Sequence, residues 1–252
     1  MTAPPMTTSD LERLFAGQIG AEYEMLKLIC PAAAEMSQKV GEFVAGWEPA
    51  HPVQPPLQVF EMGCGTGMTT LALLHAREDI MVIAVDNEPT MLDQARKNLA
   101  RWLEGGRLKL IEMDALSGLR DLSDHSIDLV ASGYATHNFL EGYRRQVLAE
   151  TFRALKTGGC FVNGDRYALD DTIEHTRLTQ EEVRHYFKTF AAINRYDLLE
   201  QWIVHLFSDE SPDHIMRLGP SLTRMKETGF KPVDVRFREG VNTLLVATKP
   251  AA

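Results

Sequence analysis

The apolar positions of this chain follow two alternating periods. Short, nearly continuous apolar runs at 57–62, 80–85, 107–112, 127–132 and 160–164 read as buried strands. Between them, stretches at 67–77, 89–103 and 141–156 place apolar residues three and four apart, which predicts helices. Pro89 suits a first helical turn. Leu155-Lys156-Thr157-Gly158-Gly159 predicts a helix stop and turn before the next strand. Strands without polar alternation, separated by helices, predict a parallel sheet covered on both faces. The last two runs, 232–237 and 241–248, are joined by Arg238-Glu239-Gly240, and the short link predicts an antiparallel hairpin.

The flanks read differently. Residues 1–8 predict a tail, Ser9-Asp10 caps a helix at 10–16, and a long helix is expected over 20–46, kinked at Pro31. Its apolar positions include Tyr23, Ala33, Met36, Val40 and Val44. Prolines 49, 52, 55 and 56 mark a stiff link into the core. The organisation expected is an N-terminal helical cap over 1–50 and a core over 51–252. After Asp165 the strand–helix rhythm stops. Residues 170–206 read as polar and aromatic helix, too long for a plain crossover, and predict a lid over about 166–217.

Composition narrows the partners. A chain of 252 residues, 44% hydrophobic, buries a full core without metal or disulfide staples. Cys30, Cys64 and Cys160 have no pairing pattern, which predicts a reducing, cytoplasmic setting. No signal peptide or membrane span is expected. A net charge of −9 points away from nucleic acid and toward a small-molecule substrate. The N-terminal helices leave a homodimer open.

Candidate chemistry sits at the ends of the predicted strands, where open α/β sheets present ligands. After the first strand comes Glu61-Met-Gly63-Cys-Gly65-Thr-Gly67. Its spacing is one residue short of the dinucleotide fingerprint. The carboxylate before the glycines repels a pyrophosphate and suits a cationic or amino-bearing ligand, which argues against a nicotinamide-dependent oxidoreductase. After the second strand, Asp86 is placed to accept from a ribose diol or, with Asn87, to cap the next helix. Asp114 follows the third strand and can accept from an exocyclic amine. Ser132-Gly133-Tyr134-Ala135-Thr136-His137-Asn138 follows the fourth. Histidines 175, 185, 205 and 214 have no ligand spacing, so no metal site is expected.

In these four signals, the glycine turn before strand 160–164 and the closing hairpin, the chain resembles the class I S-adenosylmethionine-dependent methyltransferases over about 57–165 and 220–248. The resemblance implies a Rossmann-like α/β fold, with a seven-stranded, mostly parallel sheet whose last strand is antiparallel, and S-adenosyl-L-methionine as cofactor. Carried over, Glu61, Gly63, Gly65 and Gly67 line the methionine end, Ser132 belongs to the cofactor-binding set, and Tyr23 closes over the methionine end or packs in the core. Asp86 lies at the ribose with Asn87 and Met91 nearby, Met91 as an adenine contact or a core residue, and Asp114 and Ala115 flank the adenine. Little covalent work remains once a sulfonium methyl is in place, so catalysis is expected from positioning and exclusion of water. His137, Tyr134 and Asp165 are the catalytic candidates, His137 as a base or as a packing residue. Asn138, Arg166 and His205 are the acceptor-contact candidates. The layout is also similar to the carboxy-S-adenosylmethionine synthases, through Ile83 to Met91 and the final Gly229-Phe230. The lid arginine of that group falls near Val204–His205, where this chain has none. Ordinary methyl transfer is therefore expected, with the synthase or a non-catalytic cofactor binder as alternatives.

Overall fold

The computed structural model describes residues 31–49 and 56–250. The helix expected at 10–16, the first part of the helix expected at 20–46, Tyr23 and most of the proline link lie outside the described residues.

The strands are β1 (Leu57–Met62), β2 (Ile80–Asp86), β3 (Leu108–Glu112), β4 (Ile127–Gly133), β5 (Leu155–Arg166), β6 (Val233–Glu239) and β7 (Asn242–Thr248). They form one sheet in the order β3-β2-β1-β4-β5-β7-β6. β1 to β5 are parallel, and β7 runs antiparallel between β5 and β6. This is the expected sheet, closed by the expected hairpin.

Side-chain alternation explains the strand pattern. Leu57 and Val59 of β1 face one core with Val40, Val44 and Leu73, while Phe60 and Met62 face the other with Leu116, Leu119 and Leu148. β7 divides the same way, Leu244 and Val246 against Leu245 and Ala247. Both faces are covered, so both phases of the period must be apolar. Each such side chain contributes about 1.5–3 kcal/mol relative to exposure.

The helices are α1 (Pro31–Ala45), α2 (Met68–Ala76), α3 (Pro89–Asn98), α4 (Ala100–Glu104), α5 (Ala115–Arg120), α6 (Glu141–Ala154), α7 (Thr172–Ala192), α8 (Tyr196–Asp209) and α9 (Leu218–Thr228). Three local expectations change. The helix over 89–103 breaks at the buried Leu99. Its N-cap is Glu88, which accepts from Thr90, and not Asp86 or Asn87. Gly158 and Gly159 do not stop a helix. α6 ends at Ala154, and the glycines lie inside β5, where Gly158 N–H donates to the Lys249 carbonyl and Lys249 N–H donates to that of Gly159. A Cβ on Gly159 would come within 2.7 Å of the Asp128 carbonyl oxygen, so strand proximity demands the glycine.

α1 is laid directly on the core. Gly41 packs against Ala72 of α2, and the Ser37 and Thr69 hydroxyls are 2.7 Å apart. In the expected lid region, α7 and α8 pair through Tyr186, Phe190, Leu198, Leu199, Trp202 and Leu206. Ala33 of α1 completes that cluster, and Tyr134 packs on it. The helix pair therefore stands over the ends of β4 and β5.

Candidate active site

The C-terminal ends of β1 to β4 open into one cleft of ≈ 900 Å³, mouth included. Among the predicted residues, Gly63, Gly65, Asp86, Asn87, Met91, Asp114, Ala115, Tyr134 and Asn138 line it. The structure adds Met68, Met113 and Phe139, each next in sequence to a predicted motif residue, and Ser37 and Tyr143, which arrive from α1 and α6.

The glycine loop is pinned from two sides. Cys64 N–H donates to the Val85 carbonyl, and Gly65 N–H donates to Asp86 Oδ2 at 2.7 Å. Asp86 Oδ1 accepts from Glu88 N–H at 2.9 Å. Asp86 thus joins the loop after β1 to the turn after β2. Burial raises its pKa above the ordinary carboxylate value, although both N–H bonds pull the other way. Gly65 has φ +53° and no atom within 4 Å of where a Cβ would stand, leaving a backbone cradle open to a ligand. Gly67 also has positive φ, but a Cβ there would meet Leu99 at 2.5 Å. It serves helix packing and lies off the cleft.

Glu61 and Ser132 are fully buried in the sheet behind the loop and do not line the cleft. Neither Glu61 carboxylate oxygen has a hydrogen-bond partner among the described residues. Burial is the dominant cause of its raised pKa, about 8; the neighbouring Thr70 opposes and Asp86 adds to it. A buried acid with no counter-charge among the described residues, behind an open glycine cradle, fits a cationic ligand better than an anionic one. On the far side, Asp114 caps α5 through Ser117 N–H at 3.0 Å and accepts from Tyr143 Oη at 2.7 Å. Burial pushes its pKa up, but these bonds outweigh it and the net shift is downward.

Beyond the Tyr134 wall lies a second, more buried group. Asp165 at the end of β5 is fully buried and holds the turn after β4. Its Oδ2 accepts from Thr136 N–H and Oγ1 at 2.8 and 2.7 Å, and its Oδ1 is 2.5 Å from His137 Nδ1. Burial raises its pKa, but His137 and the hydrogen bonds bring the net shift below the ordinary value. His137 is buried and does not line the cleft. Tyr134, at φ +55°, stacks edge-on against it at 5.3 Å and donates to Asn242 Oδ1 at 2.7 Å. A tyrosine in the left-handed region is strained, and such strain clusters at functional sites.

Arg166 and His205 do not reach the cleft either. Arg166 forks onto Glu182 of α7 at 2.8 and 3.0 Å, with Glu210 at 3.5 Å, so lid carboxylates engage the guanidinium expected to hold an acceptor. His205 is buried on α8, with Nε2 3.6 Å from Asp209 Oδ2. Sequence spacing offers no metal-ligand set, but the fold brings three possible ligands together among the described residues. Ring nitrogens of His137 and His205 and a carboxylate oxygen of Asp209 all lie within 4.8 Å of one another. Spacing along one segment hid this, because the third residue comes from the β4 turn. Glu182, Asp209 and Glu210 were missed as ordinary helical acids; helical spacing of His205 and Asp209 was the only signal available.

Comparison with known proteins agrees with this geometry. A family profile for a methyltransferase domain matches residues 59–159. The carboxy-S-adenosyl-L-methionine synthase of Klebsiella pneumoniae subsp. pneumoniae is 30% identical over 192 residues, covering 74% of this chain and 72% of that protein. An O-methyltransferase family protein from Burkholderia thailandensis has a TM-score of 0.62 at 17% identity, over 87% of this chain and 57% of that one. A structure of PigF with SAH has a TM-score of 0.54 at 19% identity, over 81% of this chain and 53% of that one. The chain spans little more than half of these two solved structures, which at such identity speak for the fold. Among the described residues no helix is long and apolar enough to cross a membrane. By its sequence relatives, its sheet order and its glycine-loop cleft, the chain belongs to the class I S-adenosylmethionine-dependent methyltransferases, enzymes whose cofactor is S-adenosyl-L-methionine.

Proposed function

We propose that the chain transfers a methyl group to a small-molecule acceptor seated between the ends of β4 and β5 and the helices α7 and α8. Tyr134 carries this reading. It lines the cofactor cleft, and it also packs on the helix-pair cluster and on His137, so the two spaces share one wall. S-adenosylmethionine, when bound, supplies a methyl group already activated on a sulfonium. Gly63 and Gly65, with Glu61 behind them, would hold its methionine part, Asp86 and Asn87 its ribose, and Met91, Asp114 and Ala115 its adenine.

The chain's own residues then orient the acceptor and exclude water. Asp165 fixes the ring of His137 through Nδ1, which leaves Nε2 to act on whatever occupies the second space. Asn138 lines the cleft beside it. Cys64 and Cys160 are free, buried thiols, in keeping with a reducing compartment.

The name carried by the sequence relatives favours a second reading, a carboxy-S-adenosylmethionine synthase. Against it stands the position where the resemblance places a lid arginine. Val204 is exposed there, and His205 is buried, with burial as the main cause of its lowered pKa. Neither side chain offers the fixed positive charge an added carboxylate needs.

Calorimetry with S-adenosylmethionine on wild type and Asp86→Ala tests the cofactor assignment; equal affinity would refute the role of Asp86. For the reaction, the protein is incubated with S-adenosylmethionine and a metabolite extract and the products are weighed by mass spectrometry. S-adenosylhomocysteine should accumulate in step with a methylated small molecule, and His137→Ala should lose at least about 100-fold in kcat. A carboxylated sulfonium product would decide for the second reading. An unchanged rate in His137→Ala would remove that residue from the acceptor site.

A further inference from the structure

The polar group between the β4 turn and α8 gathers carboxylates, guanidiniums and imidazoles in one place. Asp165, Glu182, Asp209 and Glu210 surround it. The guanidinium in contact with this group is that of Arg166, bound to Glu182 and near Glu210. Arg144 lies behind Asp165, but its hydrogen bonds go to the backbone carbonyls of His137, Phe139, His214 and Ile215. His175 Nε2 lies 2.7 Å from Glu210 Oε2, so Glu210 is shared between an imidazole and Arg166, while Asp209 has the ring of His205 at 3.6 Å.

The geometry points to a metal site: we propose that His137, His205 and Asp209, whose ligand atoms lie within 4.8 Å of one another, bind a divalent first-row transition-metal ion. Three further observations support the site. His205 and Asp209 are four residues apart on α8 and share a helix face. Their Nε2–Oδ2 separation of 3.6 Å is too long for a hydrogen bond. It is close to the roughly 3.3 Å edge of a tetrahedral site with bonds of about 2.0–2.1 Å. No gap in the group exceeds 4.8 Å. His137 has the arrangement of a metal-ligating histidine whose other ring nitrogen is held by a carboxylate. Asp165 is that carboxylate, at 2.5 Å from Nδ1 and fully buried, and it leaves Nε2 with its lone pair directed away. Two imidazoles and one carboxylate select a transition ion over magnesium or calcium and leave coordination positions open.

The proposal rests on the methyltransferase reading and deepens it. It replaces direct proton transfer to His137 by coordination, since a nitrogen whose lone pair is on a metal cannot accept a proton. The open positions would serve the acceptor proposed above. They would take a hydroxyl, thiol or catechol-type oxygen and lower its pKa. Its proton then leaves to solvent, the freed lone pair forms the bond to the methyl carbon, and the carbon–sulfur bond breaks with its electrons on sulfur.

The test uses the full chain without an affinity tag, since histidine tags bind the same ions. Elemental analysis after purification and after exchange with Zn²⁺, Mn²⁺ or Co²⁺ should give about one ion per chain. The Co²⁺ form should show visible d–d absorption. His205→Gln and Asp209→Asn should bind at least about tenfold less ion, while calorimetry shows S-adenosylmethionine affinity within threefold of wild type. Retained cofactor binding shows that the variants are folded. It also separates failure of the metal site from failure of the cofactor assignment. Wild type that stays metal-free, with no Co²⁺ spectrum and no shift in Tm at millimolar ion, overturns the proposal. So do variants that bind the ion as well as wild type does.

Discussion

Glu61 should make the protein less stable as the pH rises through neutrality, and Glu61→Gln should remove that dependence. The carboxyl is fully buried and its pKa is raised from 4.5 to about 8, chiefly by burial. The sign follows from linkage. Between the unfolded and folded pKa values the folded state holds a proton that the unfolded state has released, so stability falls as pH rises. The separation is about three to four pH units at ~1.36 kcal/mol each, or roughly 4–5 kcal/mol fully developed above pH 8. Glutamine has no titration but adds a buried amide donor, at about 1–2 kcal/mol. In urea unfolding without cofactor, Glu61→Gln should therefore be the less stable protein at pH 5. The two curves should cross near pH 6, and the variant should lead by about 2–3 kcal/mol at pH 8.5. Parallel stability curves from pH 5 to 8.5 would refute the reasoning. They would show that Glu61 ionises in the fold as easily as in water.

Two further outcomes follow from contacts around the site. Gly133→Ala places a Cβ 2.1 Å from Thr69 Oγ1, a hydroxyl itself held at 2.7 Å from Ser37. It should cost about 1–3 kcal/mol in urea unfolding and weaken cofactor affinity in calorimetry; a variant matching wild type in both would show that the wall between α1, α2 and β4 is not packed as described. Glu182→Gln leaves the buried Arg166 with Glu210 alone at 3.5 Å. It should cost about 3 kcal/mol and speed limited proteolysis within residues 172–209, and a change under 0.5 kcal/mol would mean the pair does not fasten the helices to β5.

The alternation of buried runs and helical stretches determined the sheet, because a strand covered on both faces has no polar phase to hide it. The glycine loop, Asp86 and Asp114 were legible for a related reason. Each follows its own strand directly, so chain order already places it at the cleft. The break at Leu99 and the glycines inside β5 were not legible: Leu99 is fully buried beside Gly67, and the glycines answer to the backbones of Asp128 and Lys249, contacts that local propensity does not contain. Nor could spacing reveal that Gly67 faces Leu99 while Gly65 faces the cleft. The second group depends most on tertiary structure. His137 and Asp165 come from successive strand ends, but His205 and Asp209 arrive on α8 after a helical excursion with no motif of its own. Local pattern sets which residues share a face of one element. Only the docking of α7 and α8 over β4 and β5 sets which elements share a site, and that docking depends on apolar contacts among Ala33, Tyr134, Tyr186 and Trp202 that no single stretch of sequence contains.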